Sequence, residues 1–307
     1  MALCIGRIQR QGLAILFCLT LGCAKAAQPG FQIGIVNAQT EAALASAVER
    51  ADDVSLAFLV VTRIKAVDDA CSDELYLERR ALLEKSRHPI ALVSAGSDWS
   101  ECQSDSGRGL AVERLTRLRE LFHGDDFIPA IALNPVRQSA TARFRSFAEN
   151  MRWERDGLLF ATLHLPAPNN NFRAEAGRNS EFEDRLVANQ DWLHRLAAHA
   201  RLKKAKAIVV FSDGNPLATP PKTAFKRDGY QEVRRQMETL AAGFSGKVLL
   251  VHAQAGSDES TGKIFWRGNL GALSVGPGWT RLKVTPGQPV PFMMESPPGP
   301  MKAGSHR

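Results

Sequence analysis

Four apolar runs in this sequence end in short polar stretches, and in an α/β protein such strand ends are where ligands gather. They are Ile35-Val36-Asn37-Ala38, Val61-Thr62-Arg63-Ile64-Lys65, Ala95-Gly96-Ser97-Asp98-Trp99 and Val251-His252-Ala253-Gln254-Ala255-Gly256. Divalent-metal chemistry there would need charged oxygen donors or imidazoles, because hard cations prefer carboxylates. The chain offers Asn37, Arg63, Ser97 and Gln254, with His252 as the one imidazole of the four stretches. Asp98 follows Ser97 and is spaced for a surface turn, and Asp213 closes a further apolar run. Asp98, Asp213 and His252 are therefore the residues from which an unusual ligand set could be drawn. For His252 the plainer reading is a strand-end histidine satisfied by a backbone carbonyl.

The elements that must position these residues are legible as hydrophobic runs. Residues 31–36, 54–62, 90–94, 128–132, 157–164, 206–212, 247–253 and 281–285 are short, apolar and rich in β-branched residues, which predicts buried strands. Between several of them lie helical patterns. Leu110, Leu115, Leu118 and Phe122 share one face, as do Phe182, Leu186, Leu193 and Ala197. Ser180 followed by Glu183 predicts a capping box at the start of the second helix. Strands alternating with helices indicate one α/β domain, with no internal repeat. Asn169-Asn170-Asn171, after Pro166 and Pro168, predicts turns held by side-chain hydrogen bonds.

The two ends differ from this pattern. Arg7 and Arg10 precede an apolar run from Gly12 to Gly22, and Ala24-Lys25-Ala26 is a cleavage site, so residues 1–26 read as a signal peptide. The alternative is lipid anchoring through Cys23, although Thr20 stands where such signals usually have Leu. Either way the expectation is a periplasmic or secreted protein with no transmembrane segment in the mature chain. At the other end Pro286, Pro289, Pro291, Pro297, Pro298 and Pro300 predict neither helix nor paired strand. The domain is accordingly expected over 27–293, with a disordered tail over 294–307.

Loss of the signal removes Arg7, Arg10 and Lys25 and lowers the formal charge from +7 to +4, which is only mildly basic. Basic residues are mixed with acids and not interleaved with aromatics, which argues against nucleic acid as a partner. Only Cys71 and Cys102 then remain, and in an oxidising compartment two such cysteines are expected to pair.

A more specific likeness follows from the order of small signatures. Cys71-Ser72-Asp73-Glu74-Leu75, Arg79-Arg80, His88-Pro89, Asp98-Trp99-Ser100-Glu101-Cys102, Glu113-Arg114-Leu115 and Leu118-Arg119-Glu120-Leu121-Phe122 occur in turn. Glu149-Asn150-Met151-Arg152-Trp153-Glu154, the Asn169 triplet, Asn189 with Trp192-Leu193, and Val251-His252 continue the series. Over roughly 31–293 the chain resembles a secreted bacterial branch of the calcineurin-like metallophosphoesterases. That resemblance implies a four-layer α/β/β/α sandwich. It also implies a site where acids, an Asn and His residues hold two divalent metals and a metal-activated water attacks phosphorus.

The chain departs from the family at each of those places. Where the family reads Gly-Asp, this sequence has Val36-Asn37, Thr62-Arg63 and Ala95-Gly96. The metal-binding Asn matches Ser97, and the closing G-D-T-H matches Ala253 to Gly256, leaving only His252. Paired cations need bridging anionic oxygen, and Arg63 reverses the local charge. No cofactor is expected on this reading, which makes the protein a pseudoenzyme that binds a periplasmic protein or a small anionic ligand. Arg63 and Lys65 are then candidates for a cationic cleft, against a drifted Arg63 that merely snorkels to the surface. The alternative is an active phosphoesterase holding two divalent metals, Mn, Fe, Zn or Mg, on atypical ligands. Gly256 to Lys263 is not a phosphate loop, having five residues between its glycines and Ile264 where Ser or Thr should follow. There is no G-x-S-x-G elbow for a serine hydrolase.

Overall fold

The computed structural model describes residues 29–38, 40–174, 179–218, 227–254 and 261–295. The expected signal peptide and Cys23, Ala255 and Gly256, and the tail from residue 296 lie outside the described residues.

In chain order the elements are β1 (Phe31–Asn37), α1 (Glu41–Asp52), β2 (Phe58–Val61), α2 (Asp73–Leu83), β3 (Ile90–Leu92), α3 (Ala111–Phe122), α4 (Ile128–Ile131), β4 (Val136–Arg137), β5 (Met151–Arg155) and β6 (Leu158–Thr162). They continue with α5 (Ser180–Leu202), β7 (Ala207–Ser212), α6 (Gln231–Ala242), β8 (Lys247–His252), β9 (Ile264–Arg267), β10 (Leu270–Ser274), β11 (Gly278–Val284) and β12 (Phe292–Glu295). One sheet has the order β12-β11-β1-β2-β3 and the other β4-β5-β6-β7-β8-β10-β9. β1, β2 and β3 run parallel, as do β6, β7, β8 and β10, so the carboxyl ends within each set open on one side.

Strand alternation builds the layers. In β2, Phe58 and Val60 face the space between the sheets, where they meet Trp153, Phe160, Val209 and Leu249, whereas Leu59 and Val61 face outward. Trp153 anchors the inner layer, stacked on Phe160 and Phe211 and edge-on to Phe58. The outward residues of the five-stranded sheet pack on Leu44 and Val48 of α1, Tyr76 and Leu83 of α2, and Leu115 and Leu118 of α3. On the far side, Trp192, Leu193 and Leu196 of α5 and Val233 and Met237 of α6 cover Ile208, Val210 and Leu250. The result is helices, sheet, sheet, helices: the expected four-layer α/β/β/α sandwich. Burying an apolar side chain this completely contributes about 1.5–3 kcal/mol each, so these three cores hold the frame against the polar strand ends.

Local expectations fared unevenly. Residues 128–132 form a short helix, not a strand, because Pro129 suits a first helical turn and cannot donate to a ladder. The capping box is also corrected: Asn179 takes the N-cap without a side-chain cap bond, and Ser180 already lies in the helix. Past Pro286, Pro289 and Pro291 the chain pairs again, since Phe292–Glu295 is free of proline and buries Phe292 against the inner core. The last strand therefore runs two residues into the segment expected as tail. The Cys71–Cys102 disulfide is present and ties the loop after β2 to the loop after β3, with the two Cα atoms 5.7 Å apart.

Candidate functional site

The parallel strands deliver Asn37, Arg63, Ser97, Asp98, Asp213 and His252 to their carboxyl ends, where connecting loops must turn back. Those loops are knitted together by backbone bonds. Thr62 N–H donates to Val36 C=O, Val93 N–H to Val61 C=O, Gly214 N–H to Leu165 C=O and Gln254 N–H to Asp213 C=O. Two buried carboxylates complete the knitting.

Asp98 is fully buried within the 3₁₀ turn Gly96–Asp98 and not on a surface turn as its spacing suggested. Its Oδ2 accepts from the Ala95 N–H at 2.9 Å and its Oδ1 from the Ile64 N–H at 3.2 Å, so it locks the loop after β3 to the loop after β2. Burial pushes its pKa up to about 7, against the lowering effect of those N–H donors, with Asp213 adding repulsion and Arg63 attraction. Asp213 is equally enclosed. Its Oδ2 accepts from the N–H groups of Gly96 and Ala167, each at 2.8 Å, joining the loops after β3 and β6. Burial raises its pKa too, opposed by those two donors, Arg63 and His252.

Gly96 is required by this arrangement. A Cβ built there would lie 2.1 Å from the Ala167 carbonyl oxygen, so only glycine lets the loops meet over Asp213. Beyond Ala167, the Asn169 triplet adopts left-handed φ values of 49°, 56° and 51°, which Asn tolerates better than other non-glycine residues. The Asn169 carboxamide exchanges bonds with Gly229 N–H and Arg227 C=O, and Asn170 bonds Gly229 C=O and the buried Arg185. The triplet therefore turns the chain, as the sequence suggested.

Arg63 does not snorkel. Its side chain is 17% exposed and turns inward until a guanidinium nitrogen stands 4.0 Å from Asp213 Oδ1. Lys65 goes elsewhere: it is buried, and its Nζ donates to the carbonyls of Ala66 and Val67 at 2.6 and 3.4 Å. Burial lowers its pKa, with Asp98 and Asp69 acting in the opposite direction. The two cations thus take different partners, Arg63 a carboxylate and Lys65 the carbonyls of its own loop, while the Arg63 charge still acts on Lys65. His252 is buried with Nδ1 2.9 Å from the Gln254 carbonyl, and Gln254 Oε1 accepts from Asn215 N–H and the Tyr230 hydroxyl. Asn37 donates through its amide to Val275 C=O, while its Oδ1, the Ser97 hydroxyl and Asp213 Oδ1 have no hydrogen bond among the described residues.

These residues do not fit a pair of divalent metals. Three of the four oxygens of Asp98 and Asp213 already accept backbone N–H groups, and the fourth faces a guanidinium. Among the described residues, no three His, Cys, Asp or Glu side chains form a group able to hold a metal ion.

A second buried network was not visible in the sequence. Glu149 takes a bidentate pair from Arg119 of α3 at 2.6 and 2.9 Å, and His164 Nδ1, at the end of β6, lies 2.8 Å from its Oε1. Burial would raise the Glu149 pKa, but Arg119 and His164 more than offset it and hold the carboxyl far below its usual range. Arg119 lies in α3, Glu149 just before β5 and His164 just after β6, and no local spacing links them.

No protein-family model matches the chain, and neither does any curated protein. Among solved structures, the crystal structure of TT1561 of Thermus thermophilus is similar at 12% identity with a TM-score of 0.42, covering 84% of this chain and 95% of that one.

Proposed function

We propose that this chain is an exported, metallophosphoesterase-like pseudoenzyme that acts by binding, with its strand-end face presented to a periplasmic protein or a small anionic ligand. The observation that carries this reading is the inward Arg63, 4.0 Å from the buried Asp213 carboxylate. At the position where the resembling family places an acid, this chain supplies its own cation and pairs it internally. A guanidinium is permanently charged and cannot be displaced as a bound metal can. It therefore neutralises Asp213 without creating a Lewis acid or a bound nucleophilic water. Asp98 and Asp213 serve instead as clamps that rigidify the strand-end loops. The partly exposed Arg63 is the group through which an anionic ligand would be met; Lys65, bonded to its own loop, contributes charge only at a distance. Export is supported by the leader-like first 26 residues and agrees with the disulfide.

The test is elemental analysis of the purified protein after incubation with Mn²⁺, Fe²⁺ and Zn²⁺, together with assays on aryl phosphomonoesters and phosphodiesters. The expected result is sub-stoichiometric metal after washing and no metal-dependent turnover. Near-stoichiometric metal with Mn²⁺-dependent hydrolysis, abolished in Asp213→Ala and His252→Ala, would refute the proposal and establish an enzyme with atypical ligands.

A further inference from the structure

β9 is the last strand of the seven-stranded sheet and pairs with β10 on one side. In an antiparallel pair every second residue turns its N–H and C=O away from the partner strand, so the outer edge of β9 presents backbone donors and acceptors. The strand is held firmly from within. Ile264 and Trp266 face the space between the sheets, where the Trp266 ring stacks on Phe292 of β12. That ring lies so close over Gly271 of β10 that a Cβ there would stand 2.6 Å from it, and the Lys247 ammonium sits 5.1 Å from its centre. An edge fixed in this way loses little further freedom when something binds to it.

Strand alternation turns Lys263, Phe265 and Arg267 together to the opposite face, and all three are exposed, Phe265 by 44%. A phenyl ring is thus offered to solvent between two cations. Neither Lys263 nor Arg267 makes an ion pair among the described residues. The other sheet edges differ: α4 packs against β3, Arg137 of β4 is paired with Asp125 at 3.2 Å, and Glu295 of β12 accepts from Gln32 and faces Arg281. Cations by themselves guard an edge against aggregation. A guard has no use for an apolar ring displayed between them.

From this juxtaposition we infer that the β9 edge takes up an extended acidic segment of a partner protein by strand addition. Backbone bonds along the edge supply the register, an apolar side chain of the partner lies opposite Phe265, and acids lie opposite Lys263 and Arg267. A second copy of this chain fits poorly, because a two-fold antiparallel pairing centred on Phe265 sets Lys263 directly opposite Arg267, and like charges so placed are destabilising. The chain's own residues 296–307 contain no acid and carry Pro297, Pro298 and Pro300, which suits them poorly to an added strand. The surface lies on a sheet edge, apart from the strand ends, and does not rest on the function proposed above.

The probe is a fluorescein-labelled peptide, Ser-Glu-Thr-Val-Thr-Glu-Ser, titrated with the full protein and followed by anisotropy. The expected result is saturable binding that weakens as salt is raised from about 20 to about 300 mM, with affinity lowered at least about tenfold in Lys263→Glu and in Arg267→Glu. Phe265→Ser should weaken binding as well. All three side chains are exposed, so the thermal midpoints of these variants should stay near that of the parent. A peptide with proline in place of both threonines should not bind, since it cannot complete the backbone pairing. No saturable binding, equal binding of the proline peptide, or an Arg267→Glu variant that binds as tightly as the parent would overturn the inference. So would a parent that elutes as a dimer in size-exclusion chromatography and becomes a monomer in Phe265→Ser, which would assign the edge to a second copy.

Discussion

Replacing Asp98 by Asn should remove a pH dependence that the buried carboxyl builds into folding. Asp98 is fully buried and its pKa is pushed up to about 7, whereas an unfolded aspartate titrates near ~3.9. A carboxyl whose folded pKa is raised stabilises the fold fully below the unfolded value, and that contribution is lost as pH rises through the folded value. Between about pH 5.5 and about pH 8.5 the unfolded chain stays ionised while folded Asp98 must give up its proton against burial. The linkage relation makes this a loss of about 2 kcal/mol across that window. Other groups titrate there as well. Burial lowers the pKa of His123 to about 3 and that of His164 also, and each contributes stability that is lost as pH falls through the unfolded histidine value. Those contributions are common to parent and variant, so the quantity to measure is the difference in unfolding free energy between the two, by urea titration at both pH values. The parent should lose about 2 kcal/mol relative to Asp98→Asn on going from the lower to the higher pH. A difference that does not change with pH would show that the Ala95 and Ile64 N–H bonds outweigh burial, and would refute the reasoning.

Two further perturbations test how the loops are held. Gly96→Ala drives a Cβ to 2.1 Å from the Ala167 carbonyl, a backbone atom that cannot swing aside; forcing it apart costs about 1–3 kcal/mol from overpacking, plus about 1–3 kcal/mol for each Asp213 clamp bond lost, read as a lowered urea midpoint. Breaking the Cys71–Cys102 bridge by Cys102→Ser opens a loop of sequence separation 31, for which the chain-entropy model gives about 3–4 kcal/mol; an unchanged thermal midpoint would contradict it.

How much of this was legible follows from where each constraint resides. The sequence by itself determined the α/β class, because apolar runs and helical periodicities are local properties of the chain. β1, β2, β3, β6, β7, β8 and β11 fall where the runs predicted. It also placed Asn37, Arg63, Ser97 and His252 at strand ends, and left Cys71 and Cys102 as the cysteines beyond residue 26. Short or half-exposed strands such as β4, β9 and β12 were not legible, since their pairing depends on neighbours distant in the chain. Proline misled in one direction at 128–132, where it starts a helix, and in the other at 286–291, where it precedes a paired strand. Only the tertiary structure decided what the polar strand ends do. Asp98 looked exposed because its spacing suited a surface turn, yet the loops after β2 and β3 enclose it. Arg63 and Lys65 looked like one cleft at a spacing of two residues, yet one turns to Asp213 and the other to its own loop carbonyls. The partner that fixes each charged group, Asp213 for Arg63 and Glu149 for Arg119 and His164, arrives from another strand or loop, and a burial created by several separate segments leaves no signature in any one of them.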